Sequence, residues 1–431
     1  MAVQTVAPET ALANFFNHKK STPVLTKLTR EGNPLWDWIP KSTDGGGDEL
    51  VIRLKHIDAK AIAPTRAYVQ TMQATSCGSI SGVKFEVPWG GLKMGHIIYR
   101  KDLVLNRKDP EKFLDLEYET IQSEARQWGE RHENYVTGNT GHALGSGVFT
   151  TTGSIQLANK RDAIKFQKGQ MLWISANDGT ATGHVLVAGS AIGYVIAVNE
   201  NTGVITVSDT DGGAAADPTN WVSTTTYYYF NYGDFGGTTT PYKICDGIAD
   251  WVPKTDPDST AFNGVDRTAS IVALSGCRLL AADVSGLSIV QRFMKAADYL
   301  NRVGYWRDIG GERRFWTNDR HWRELHDALQ SVNMISMEQD LNYGGMSISL
   351  VTPSGKLMVS AAPKIQDGDA WLLTKNSWDF KSAGPYPATI SEDGMKWQRV
   401  ATADAFEMRD DGIGALGCRL PGANCYFPLA T

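Results

Sequence analysis

The stretch HWRELH, residues 321 to 326, holds the side-chain types that bind a divalent metal and activate water. A metal-binding helix sets two histidines four residues apart so that both rings reach one ion. Here His321 and His326 are five apart, about 140° around a helix, and the order is not H-E-x-x-H, so the stretch reads as an ordinary helix. TGHALGSG, residues 140 to 147, has the glycines of a phosphate cradle. It lacks the lysine and hydroxyl of a phosphate loop and is not framed by strand then helix, which makes it a flexible linker. DPDSTAFNGVD (256 to 266) and DTDGG (209 to 213) bring acidic oxygens together without completing a calcium loop, and Asx-type turns account for them. No G-x-S-x-G elbow is present. The five cysteines, Cys77, Cys245, Cys277, Cys418 and Cys425, form no C-x-x-C pair and read as reduced, packed thiols. No catalytic residue, metal site or cofactor is expected, and the chain is read as a non-enzyme.

Bulk properties bound what such a chain does instead. With 431 residues, two to four structural units are expected. A net charge of −5 leaves no basic footprint for sequence-reading of nucleic acid, although non-specific local contact is compatible with it. The 43 glycines and 13 tryptophans lean towards sheet, turns and large contact surfaces. The first residues lack a signal-peptide pattern and no run of about 18 apolar residues occurs, so a soluble protein made in the cytoplasm, with no membrane partner, is expected.

Several elements can be drawn from pattern alone. Residues 1–45 carry scattered anchors, among them Phe15, Phe16, Trp36 and Trp38, without periodicity, as an extended arm lying on another surface would. Leu50, Ile52 and Leu54 alternate with Val51, Arg53 and Lys55, and Val83, Phe85 and Val87 alternate with Lys84 and Glu86. This predicts two long strands of a hairpin whose tip, DAKAIAPTRAYVQTMQATSCGSI, is longer than a tight turn needs.

From 110 to 137 a long helix is predicted, with Asp109 as N-cap, Pro110 in the first turn and a stop at Gly138. Leu114, Tyr118, Ile121, Ala125, Trp128, His132 and Tyr135 form one stripe along it, and at 1.5 Å per residue the rod is roughly 42 Å long. His132 on this stripe reads as a packing residue.

Residues 160–235 read as short strands and turns of a small barrel or sandwich. Strand text begins at DAIKFQ, Gly169 turns the chain, and the loop NENTG joins Ile192, Tyr194, Ile196 and Val198 to Val204, Thr206 and Ser208. Later come a helix with Ile289, Phe293, Ala296, Ala297 and Leu300 on one side, then a strand, a cap at Asn318 or Asp319 and a second helix. The remainder is strands.

The order of these parts resembles the major capsid proteins of tailed bacteriophages, whose fold was first named for Hong Kong phage ninety-seven. The resemblance is carried by DELVIRLKHIDAKAIAP through KDLVLNRKDPEKFLDLEYETIQSEARQWGERHENYVTGN, where an extended loop leads straight into a long helix ending near a glycine. RFWTNDRHWRELHD looks like the strand and capped helix of that family's axial domain, and ISEDGMKWQRVATADAFEMRDDGIGALGCRLPG looks like its final strands.

The resemblance implies an α+β fold divided as follows: N-terminal arm 1–45, extended loop 46–102, peripheral domain 103–159 with the spine helix, inserted β-domain 160–235, axial domain 236–395, and C-terminal strands of the peripheral domain 396–431. It implies a structural subunit that self-assembles as hexamers and pentamers into an icosahedral head around double-stranded DNA, built in the host cytoplasm and located in the virion. Its partners would be copies of itself, non-specific packaged DNA, and portal, scaffold and decoration proteins. With no cleavable leader of about a hundred residues expected before the arm, scaffolding would come from another protein or from nothing. No covalent cross-link pair is expected.

Phe15, Phe16, Trp36 and Trp38 of the arm, Arg53, Lys55, Arg66 and Lys84 of the loop, and Glu117, Glu124 and Arg131 of the helix are the candidate intersubunit contacts. Two alternative functions are compatible with the same sequence: the shell of a cellular nanocompartment, and a glycan-binding or enzymatic protein centred on the β-domain.

Overall fold

A computed structural model describes residues 33–57, 81–102, 104, 116–138, 141–150, 152–178, 187, 189–234, 244–330, 336–340, 345–352, 355–386, 388–390 and 397–429. The chain divides into two compact units, one built from 94–243 with 389–410, the other from 34–93, 244–388 and 411–431.

The long helix of the first unit spans Leu116–Thr137. The Asp109 cap lies outside the described residues. Trp128, His132 and Tyr135, the C-terminal end of the predicted stripe, are all buried. His132 Nδ1 is 2.7 Å from the Trp128 carbonyl, which can only accept, so that nitrogen carries the proton and the ring is spent on the helix backbone.

A closed six-stranded barrel follows, with strands Gly145–Thr150, Ser154–Leu157, Met171–Ser175, Gly193–Asn199, Val204–Ser208 and Thr226–Asn231. All neighbours run antiparallel, and the last strand pairs with both the first and the third, which closes the ring. Phe149, Ile155, Leu157, Leu172, Ile174, Val195, Ile205, Val207, Tyr227 and Tyr229 fill it. Closure leaves no open sheet edge, which an inserted unit of this size needs if it is not to pair with other chains.

Three expectations change here. The barrel begins at Gly145, not at 160, so TGHALGSG runs into a strand and is not a linker. Its glycines serve close approach: a Cβ on Gly147 would lie 2.5 Å from the Gln156 carbonyl oxygen. DAIKF is not strand; Lys160–Lys165 is a 3₁₀ helix capped by Asn159, after which Gly169 turns the chain at φ +85°. In the hairpin, Val195 is the fully inward residue of its strand, while Tyr194, Ile196 and Val198 are only half-buried, because a register shift between Val195 and Ala197 interrupts the alternation.

In the second unit a seven-stranded mixed sheet runs in the order Cys277–Arg278, Cys425–Pro428, Asp369–Thr374, Arg313–Thr317, Gly355–Ala361, Gly345–Thr352, Ser336–Asp340. Helix Ile289–Val303 buries Phe293, Ala296, Ala297 and Leu300 in this unit's core. It starts at a capping box, with Ser288 and Gln291 bonding each other's backbone, and stops at Gly304 in the left-handed region. Phe293, Phe315 and Phe427 meet edge to face at 5.0 to 5.8 Å. Asn318 Oδ1 accepts the His321 N–H at 2.9 Å and caps helix Asp319–Gln330.

The C-terminal strand Cys425–Pro428 belongs to this sheet and not to the peripheral domain, because Cys-Tyr-Phe is apolar on both faces and needs neighbours on both. Gly90–Tyr99, expected within the extended loop, is a strand paired with the long strand Ala405–Cys418.

Candidate functional site

Cys77 lies outside the described residues, and several of the described residues that could have done covalent or metal chemistry are occupied elsewhere. His321 is fully buried, with Nδ1 2.8 Å from Glu324 and Nε2 accepting the Gly368 N–H at 3.1 Å, which fixes the tautomer with the proton on Nδ1. His326 stacks on Trp322 at 5.7 Å. Burial pushes the thiols of Cys277 and Cys418 up to about 12, so neither forms a thiolate near neutral pH. Asp258 and Asp266 accept the N–H groups of Thr260 and Thr268 at 2.9 Å, the Asx turns expected of that loop.

Two surfaces remain. The first is the hairpin of Glu49–Ile57 and Ser81–Pro88, with Leu50 opposite Val87, Ile52 opposite Phe85 and Leu54 opposite Val83. This apolar face is buried inside the second unit: Phe85 lies 5.2 Å from Trp251, and a Cβ on Gly417 would meet Ile52 Cδ1 at 2.5 Å. The described base of the hairpin thus packs its apolar face within its own unit. Its other face carries the exposed Val51, Arg53 and Lys84 and the half-buried Glu86, with Arg53 directly opposite Lys84. Like charges so placed repel. Glu86 compensates Lys84 at 2.5 Å, while Arg53 has no ion pair among the described residues.

The second surface is a cleft of about 200 Å³ between the long helix and the barrel, lined among others by Gln127, Glu130, Arg131, Asn134, Gln170 and Asn231. At its edge Asp234 is buried, accepts the Asn231 N–H at 3.2 Å, and has its carboxyl raised to about 6 by burial. Arg131, Tyr135 and His142 act against that rise without cancelling it.

Placement of the candidate contacts follows from this. Arg53 and Lys84 are exposed on the hairpin. Lys55 lies in the same strand, and Glu117 and Glu124 lie in the long helix, with their side chains outside the described residues. Phe15, Phe16 and Arg66 lie outside the described residues altogether. Arg131 faces Asp234 of its own chain. Trp36 and Trp38 are buried within the second unit, against Phe380 at 4.7 Å and Trp316 at 5.6 Å, so these two anchors already pack inside their own chain. Asp234 was missed because its only signal is its distance in sequence from the helix it meets.

No protein-family profile and no curated protein matches the chain. Among solved structures, the capsid asymmetric unit of cyanophage A-1(L) superposes over 99% of this chain and 99% of that one, at a TM-score of 0.50 and 11% identity. The fold is that of a phage capsid protein. It is the mixed α+β capsid fold first named for Hong Kong phage ninety-seven, here with a barrel inserted after the long helix. The capsid of a native GTA particle is matched over 98% of both chains at 0.47 and 7% identity. An encapsulin from Synechococcus elongatus PCC 7942 is matched over 98% of this chain and 95% of that one, at 0.44 and 9%. The fold assignment rests on the cyanophage capsid.

Proposed function

We propose that this chain is a structural shell subunit, the major capsid protein of a tailed phage, which assembles with copies of itself as hexamers and pentamers around double-stranded DNA. The observation that carries this reading is the end-to-end match to a capsid subunit, with 99% of each chain covered. The exposed hairpin face supports it: a charged strip bearing Val51 and Arg53, the latter without an ion pair among the described residues, is suited to pairing with another surface. The buried histidines and thiols fit a structural role better than a catalytic one. Among the described residues no helix is long and apolar enough to cross a membrane.

Sedimentation of the purified full-length protein tests the proposal. Closed particles or capsomers far heavier than one chain are expected, and a stable monomer under all conditions of salt and concentration would refute it. Nuclease-protected DNA in particles from infected cells is the expected mark of a phage head, and particles enclosing protein cargo instead would transfer the chain to the nanocompartment reading.

A further inference from the structure

Beyond the end of helix Ile289–Val303 the chain passes Gly304, forms the short helix Trp306–Ile309, and turns through Gly310 and Gly311, both with positive φ, into strand Arg313–Thr317. Three guanidinium groups gather on the aromatic rings of this segment. Arg302 lies 5.1 Å from the centre of Tyr299, and Trp306 has Arg313 at 3.7 Å and Arg307 at 5.6 Å. Arg313 is half-buried, and its pKa is lowered first by burial and then by repulsion from Arg307.

Arg302 and Arg307 are exposed, and among the described residues neither forms an ion pair. The one acid here that does pair, Glu312, is engaged by Arg314 at 2.5 Å and lies 4.0 Å from Lys375. Arg307 instead donates to Asn301 Oδ1 at 3.2 Å, which holds the guanidinium in place without neutralising it. Arg302 also complements the negative end of the helix it closes. That account does not extend to Arg307, which stands beyond Gly304.

We propose that Arg302 and Arg307, held against Tyr299 and Trp306, form a phosphodiester-binding surface of the second unit, whose partner is the nucleic acid inside the shell. Fixed planar guanidinium groups bond phosphate oxygens in pairs, and the rings beneath them, themselves packed on the core of the unit, hold those groups in place irrespective of nucleic-acid sequence. The surface is local, so it is compatible with a net charge of −5. The choice of partner rests on the shell reading, whereas the anion chemistry does not.

The test is binding of the unassembled full-length chain to a short DNA duplex and to a single strand, followed by fluorescence anisotropy across a salt series. The Arg302→Gln/Arg307→Gln double variant is expected to bind about tenfold more weakly, with a log–log salt slope shallower by about two, one for each lost phosphate contact. Arg302→Lys/Arg307→Lys, which keeps both charges, is expected to retain the slope, and it guards against a folding defect in the glutamine variant, checked by its melting midpoint. Equal affinity and slope in the wild type and the glutamine variant would overturn the proposal. So would displacement of the duplex by millimolar inorganic phosphate, which would assign the surface to free phosphate. Assembly is scored separately by sedimentation, so shells without this binding sink only this proposal, and binding without shells sinks only the shell reading.

Discussion

Asp234 is a carboxyl that folding takes out of water beside one guanidinium, and burial outweighs that help. Its pKa stands at about 6 against an ordinary 3.8, so the folded chain binds this proton more tightly than the unfolded one. The cost is present above about pH 6 and is relieved as pH falls towards 3.8. The difference of about two units corresponds to roughly 3 kcal/mol at neutral pH. Asp234→Asn, which mimics the protonated form, is expected to be more stable than wild type near pH 7 and to lose that advantage by about pH 4. Paired urea titrations across this range check it, and a difference that does not change with pH would contradict the account. Trp38 gives a second residue-scale prediction. Because it is fully buried against Trp316, Trp38→Ala is expected to cost about 3–5 kcal/mol in the dissociated subunit. If the loss is seen only in assembled particles, the tryptophan is an intersubunit anchor after all.

Elements were legible in the sequence wherever a period and a cap coincided. The hairpin strands, the helix with Phe293, Ala296, Ala297 and Leu300 on its buried side, and the Asn318 cap all follow from local pattern. Ser288→Ala is expected to cost about 1 kcal/mol by urea denaturation, because it removes one half of the capping box. What local pattern missed is set by distant neighbours. Trp36 meets Phe380 and Arg131 meets Asp234, partners that no window along the chain brings together. Glycines in TGHALGSG looked like freedom and are in fact contact: Gly147→Ala places a methyl group against the Gln156 carbonyl, with an expected loss of about 1–3 kcal/mol in barrel stability. An unchanged denaturation midpoint would show that this strand has room.

At the scale of the whole molecule, the barrel is an addition whose ends meet. Gly145 at its start is the cross-strand partner of Tyr229 near its end, and such partners lie about 5 Å apart. A short Gly-Ser linker replacing residues 145–229 is therefore expected to leave assembly intact, whereas a cut beginning at 163 strands the first two barrel strands and is expected to aggregate. The exposed hairpin face is suited to the proposal that the work of this chain is done between copies. Electron microscopy of the purified full-length protein measures that claim most directly. The account predicts closed icosahedral shells, or hexameric and pentameric capsomers that close into them, and a homogeneous population of isolated monomers would contradict it.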